Sequence, residues 1–158
     1  MFTFIAGVTL AATLVAPSSS NIDDKWLDYT QPLTERNHVM HDSPVSLYQG
    51  RFYVEKDNEL RYCIRYREAR HSYTQDNGPH HGAYQFTEAL AVGVSWMIQK
   101  ELRATGTPKR QALHLGRTLR SNDIAEWSPF WQDFAFWMVW DHGAGKQHWA
   151  ATNYAGAC

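Results

Sequence analysis

The chain has 158 residues, 15 Lys and Arg against 16 Asp and Glu, and a formal net charge of −1 with its histidines neutral. That length suits one domain with a real core, and the balanced charge argues against a nucleic-acid partner, which calls for a basic surface. Seven Trp and eight Tyr make the composition aromatic-rich, as in carbohydrate clefts and equally in Trp-packed cores.

Residues 2–16 form an apolar run that ends at Pro17 and three serines. A membrane span needs about 20 apolar residues, so this run fits a signal-peptide core better, with Ala16 and Ser18 as small residues for cleavage. No Lys or Arg precedes Lys25, which leaves an uncleaved membrane anchor as the alternative. Residues 1–20 are thus expected to export the chain, secreted or tethered at the cell surface. Residues 21–56 are weakly patterned: a short helix over Asn21 to Tyr29, then an irregular arm broken by Pro32 and Pro44. His38 and His41 with Asp42 have a metal-like look, but two histidines without a partner motif read as plain surface. No metal or cofactor is expected, and nothing sets the oligomeric state.

From residue 57 onward the pattern is helical. Asp57 and Asn58 are N-cap residues, Glu59 suits the first turn, and Leu60, Cys63, Ile64 and Arg67 fall at i, i+3, i+4 and i+7. Glu68 stacks one turn beyond Ile64, at the edge of that face, where desolvation is expected to raise its pKa toward that of a general acid. A polar loop over residues 71–81 carries the turn Asp76-Asn77-Gly78-Pro79. Within it Tyr73 offers an aromatic face to a sugar, Asn77 reads first as turn chemistry and second as an amide for a sugar, and His80 and His81 lie beside Gly82. The segment Gly82-Ala83-Tyr84-Gln85-Phe86 is too short for more than an irregular or β-like piece. Thr87 caps a helix to Arg103, with Leu90, Val94, Met97 and Ile98 on one face and Gly106 as its stop. Thr107-Pro108 opens another to about Arg120, and Ser128-Pro129 a third that Gly143 ends. That third helix, Phe130 to Trp140, is apolar nearly all round, so its tryptophans are expected in the core. The fold class is mainly α. The two cysteines, Cys63 and Cys158, are as consistent with a bridge as with buried thiols.

The run Cys63-Ile64-Arg65-Tyr66-Arg67-Glu68, then Asn77-Gly78 and Gly82-Ala83-Tyr84-Gln85-Phe86, resembles the transglycosylase-like branch of the lysozyme superfamily, close to the resuscitation-promoting factors. The Trp-rich segment from Trp127 to the final Cys resembles the closing segment of that group. The resemblance covers residues 57–158 and implies a lysozyme-like α+β domain that cleaves the β-1,4 bond between N-acetylmuramic acid and N-acetylglucosamine in peptidoglycan strands. It implies Glu68 as the catalytic acid, Gly82, Tyr84 and Gln85 along the glycan cleft near Tyr73, and a Cys63–Cys158 bridge. Glycosidases usually pair two carboxylates; Asp76, Glu88 and Asp133 stand at no motif position, which suits a lytic route with one acid. Ala69 occupies a position where the family usually has Ser, and Thr87 to Leu90 replace its Phe-x-x-x-Thr/Ser-Thr-Trp pattern. A non-catalytic wall-binding module is therefore the alternative.

Overall fold

The computed structural model describes residues 43–152 and Cys158. The expected leader over residues 1–20, the short helix over 21–29 and the His38, His41, Asp42 group lie outside the described residues. Four α-helices carry the structure: α1 (Asn58–Ala69), α2 (Glu88–Ala104), α3 (Lys109–Ser121) and α4 (Pro129–Trp140). Short 3-10 turns cover Glu55–Asp57, Ile124–Glu126, Asp141–Gly143 and Lys146–Thr152. The domain is mainly α, as the periodicity predicts, and no helix among the described residues is long and apolar enough to cross a membrane.

Local chemistry sets the helix ends. Thr87 caps α2 by accepting a hydrogen bond from the Leu90 amide at 3.3 Å, and Gly106 follows its end with φ +96°. Pro108 stands just before α3 rather than inside it, its carbonyl accepting from the Ala112 amide at 3.0 Å. Ser128 and Pro129 open α4 as expected. Its regular turns stop at Trp140, not Gly143, because Asp141 and His142 already adopt positive φ.

α4 is the centre of the core. Every residue from Trp131 to Trp140 is buried, and each large side chain withdrawn from water contributes roughly 1.5–3 kcal/mol. Tyr48 stacks on Phe134 at 4.0 Å and Phe136 on Trp140 at 5.8 Å. Trp149 closes over Phe136 and donates its indole N–H to the Tyr84 carbonyl at 3.1 Å. α2 buries Ala91, Val94, Ile98 and Leu102. Met97, expected on that face, is 44% exposed; the stripe turns toward Ala91 and Leu102, where α2 meets its neighbours.

α1 departs most from its expected packing. It buries Arg61, Ile64, Arg65 and Ala69, while Arg67 is exposed and Leu60 and Cys63 are only half-buried. The inward face is therefore rotated by about one residue, roughly 100°, from the Leu60–Cys63–Ile64–Arg67 stripe. Arg61 points inward because α4 supplies a buried acid for it, and Arg65 follows by bonding the Tyr73 hydroxyl that this acid accepts from.

Candidate functional site

In a helix otherwise apolar all round, Gln132 and Asp133 are the polar pair. Both are buried, so each must find hydrogen-bond partners. Asp133 Oδ1 accepts from the Tyr84 hydroxyl at 2.6 Å, the Tyr73 hydroxyl at 2.8 Å and Arg61 Nη1 at 3.4 Å. Its Oδ2 accepts from the Leu47 amide at 2.8 Å and from Ser46 Oγ at 3.3 Å. Arg61 also donates to the Tyr84 hydroxyl at 2.6 Å and to the Pro44 carbonyl at 2.7 Å. Arg65 donates to the Tyr73 hydroxyl, and to the Ser43 carbonyl at 2.7 Å. This lattice joins α1, α4, the loop after α1 and the last part of the N-terminal arm.

Gln132 holds the other side. Its Nε2 donates to the carbonyls of Tyr73 and Trp127, both at 2.9 Å, and its Oε1 accepts from the Ala83 amide at 2.8 Å. His81 and Phe86 exchange two backbone hydrogen bonds of 2.9 Å, closing the turn Gly82–Gln85. That isolated pairing, with one between Asp76 and His81, is the small β-like piece; no strand forms among the described residues. Gly82 sits at φ +74°, and a Cβ there would lie 2.6 Å from Gln132 Oε1. Gly82→Ala is expected to cost about 2–4 kcal/mol, from left-handed strain and displaced Gln132 bonds. Urea unfolding checks this, and a loss under ~1 kcal/mol would contradict it.

Glu68 lies on the inward face of α1, one turn after Ile64 and three residues after Arg65, and is half-buried. The chain then leaves the helix sharply, with Arg70 at φ +49° and His71 at φ +66°. Two successive non-glycine residues in that region cost of order 1–3 kcal/mol each and persist only if fixed from outside. Here the Arg70 amide donates to the Tyr66 carbonyl at 2.8 Å. The His71 ring stacks on Tyr62 at 4.2 Å, and its Nδ1 accepts from Arg65 Nε at 3.3 Å. Arg65 thus fixes both the turn after Glu68 and the loop beyond it.

The expected ligand contacts divide. Tyr73 and Tyr84 are buried with their hydroxyls on Asp133, so neither ring faces a sugar; this corrects the cleft assignment of both. Gly82 is buried and shapes the turn. Gln85 is half-buried, its Nε2 donating to the Gly82 carbonyl and its Oε1 accepting from Asn77 Nδ2, both at 2.9 Å. These two amides lie near the surface, with Asp76 and His80 exposed on the same loop. Asp133 is shut away, while Asp76 and Glu88 are exposed. His81 Nδ1 lies 3.1 Å from Asp123 Oδ2 and 3.4 Å from Asp76 Oδ1, linking the loop to the α3–α4 connection. Cys63 and Cys158 are joined in a disulfide, with Cα atoms 5.8 Å apart. No group of three His, Cys, Asp or Glu suited to a metal occurs among the described residues.

The lattice has an alkaline signature. Burial first, then the Asp133 charge and Tyr84, push the Tyr73 phenol well above its ordinary value. Burial also raises Tyr84; Arg61 opposes that rise and Asp133 adds to it. For Arg61, burial works against the charge, but Tyr84, Asp133 and Tyr73 outweigh it and hold its pKa above the usual value. Above about pH 10 the unfolded chain releases the two phenolic protons while the fold keeps them. Their contribution is therefore whole below pH 10, and stability falls as pH rises, by about 2.7 kcal/mol per unit when both differ. Burial raises Tyr48 as well, so absorbance at 295 nm should show at least Tyr73 and Tyr84 of the eight tyrosines ionising only as the protein unfolds; ionisation of all eight before loss of helix would rule this out.

Arg61, Arg65, Gln132 and Asp133 were not predicted as organising residues. The legible signal was the Gln-Asp pair inside an apolar helix. Comparison with family models, with curated proteins and with solved structures gives no match.

Proposed function

We propose that this chain is an exported domain that cleaves peptidoglycan strands at the MurNAc–GlcNAc bond, with Glu68 as its single catalytic acid. The observation that carries the reading is a half-buried carboxylate at the end of α1, on a helix fixed by the same buried lattice that holds the Gly82–Phe86 turn. A general acid needs such a fixed, partly desolvated position. Glu68 protonates the leaving glycosidic oxygen and then, as carboxylate, takes the proton from the muramyl 6-hydroxyl as it attacks, leaving an anhydromuramyl end. Asn77 and Gln85 are the amides assigned to the glycan. The disulfide supports export, since such bonds persist in oxidising compartments.

The test is digestion of purified, insoluble cell wall followed by mass analysis of soluble fragments. Anhydromuramyl ends are the expected product, and reducing ends would assign the attack to water. A non-catalytic glycan-binding module is the second reading, favoured by Ala69, which is buried next to Glu68 and brings no hydroxyl there. Wall binding without any soluble fragment would establish it.

A further inference from the structure

The cations of the chain are unevenly spread. Residues 89–122, which run through α2 and α3, hold six Lys and Arg against one acid, although the whole chain is nearly neutral. That acid, Glu101, is buried and bound to Arg51. Lys100, Arg103, Lys109, Arg110 and Arg117 are exposed, and none of them forms an ion pair among the described residues. On α2, Val92, Trp96, Lys100 and Arg103 follow at i, i+4, i+8 and i+11, so they share the outer side of the helix with Gly93 and Met97. Val92, Trp96 and Met97 are 37%, 53% and 44% exposed, and a Cβ at Gly93 would meet nothing within 4 Å. The Arg120 guanidinium of α3 lies over the Trp96 ring at 3.6 Å and donates to Gln99 Oε1 at 2.9 Å. α3 thus extends the same surface. Arg117 stands one turn before Arg120, and desolvation and then the Arg117 charge lower the Arg120 pKa. Two exposed acids, Glu88 and Asp123, border the surface at its Val92 end. Beyond Trp96 the exposed charges of both helices are all positive.

We propose that the outer side of α2, with the adjoining Arg117 and Arg120 of α3, docks on the surface of an anionic lipid bilayer. Charge alone would suit any polyanion; the apolar stripe beside it decides between them. At a bilayer interface an indole sits at headgroup level, and Val92 and Met97 reach the acyl boundary. The stems of Lys100, Arg103 and Arg117 lie along apolar surface while their charged heads meet lipid phosphates. A soluble polyanion offers Val92 and Met97 nothing, and the Trp96 face on which a base would stack is covered by Arg120. α2 is held by its inner residues Ala91, Val94, Ile98 and Leu102, so it presents this side already folded. No helix among the described residues is long and apolar enough to cross a membrane, so the contact is with the surface of the bilayer. The proposal does not rest on glycan cleavage.

The experiment sediments the full chain with vesicles of phosphatidylcholine, or of phosphatidylcholine and phosphatidylglycerol in equal parts. Binding to the anionic vesicles should be about tenfold stronger or more, and that preference should collapse in about 1 M NaCl. Lys100→Gln/Arg103→Gln should weaken it roughly tenfold, and Trp96→Ser/Met97→Ser by a similar factor, with the circular dichroism unchanged. Phosphatidylglycerol brominated on its acyl chains should quench the fluorescence of wild type and lose most of that effect in Trp96→Phe, which keeps an aromatic ring in place. Equal binding to neutral and anionic vesicles would overturn the proposal. So would binding that neither double substitution weakens, which would assign it to residues 1–42. Binding weakened by the charge substitution alone would identify a general polyanion site instead, and quenching unchanged in Trp96→Phe would place the contact elsewhere.

Discussion

Asp133→Asn is expected to destabilise the fold by about 3–5 kcal/mol, because it breaks a buried ion pair from one side. The carboxylate accepts from two phenols, one guanidinium, one backbone amide and one serine hydroxyl. An amide of the same shape turns an NH₂ toward some of those donors and leaves the Arg61 charge without its counter-ion. Arg61 and Asp133 side chains are both fully buried, so water cannot take over either role. For a domain of this length, each kcal/mol lowers the melting temperature by about 2–4 °C, which puts the loss near 10 °C or more. Arg61→Met combined with Asp133→Leu should recover part of it, since removing both charges spares the desolvation of an unpaired one. A melting temperature within 2 °C of wild type for Asp133→Asn would show that the lattice is not what holds α1 to α4.

The helices were legible because their signals are local. Thr87, Ser128-Pro129 and Gly106 mark ends through cap chemistry that does not depend on the tertiary structure, and α4 announces its burial by lacking a polar face. The orientation of α1 was not legible in the same way. Counting apolar residues treats Arg61 and Arg65 as solvated, but burial of an arginine is decided by what another element supplies: for Arg61 an acid 72 positions away in sequence, and for Arg65 the Tyr73 hydroxyl bound to that acid. Tyr73 and Tyr84 were misplaced for the same reason. An aromatic residue beside a candidate cleft reads as a sugar platform, but a phenol has a polar end, and a buried carboxylate accepts it well. The disulfide was undecided by cysteine count and became definite only through position, with Cys63 facing out from α1.

Glu68→Gln is expected to lower fragment release by ~10²–10⁴-fold, the usual contribution of a general acid, while leaving wall binding intact. Glutamine keeps the length, the planar end and the hydrogen-bond reach of the side chain but has no proton to give the leaving oxygen. The donors to Asp133 are other groups than Glu68, and a melting temperature measured alongside separates loss of chemistry from loss of fold. Gln85→Ala should behave differently. Gln85 holds the Gly82 carbonyl and the Asn77 amide and sits at φ +52°. Its removal loosens the turn and takes an amide from the proposed glycan path. Turnover and affinity should then weaken together, as for a group that positions substrate in both ground and transition states. Measured on the same wall preparation, the two variants form a pair: Glu68→Gln binds without cutting, and Gln85→Ala cuts poorly because it binds poorly. Equal trace release by wild type and Glu68→Gln would remove the enzyme reading and leave a glycan-binding module, in which Gln85 still matters and Glu68 does not.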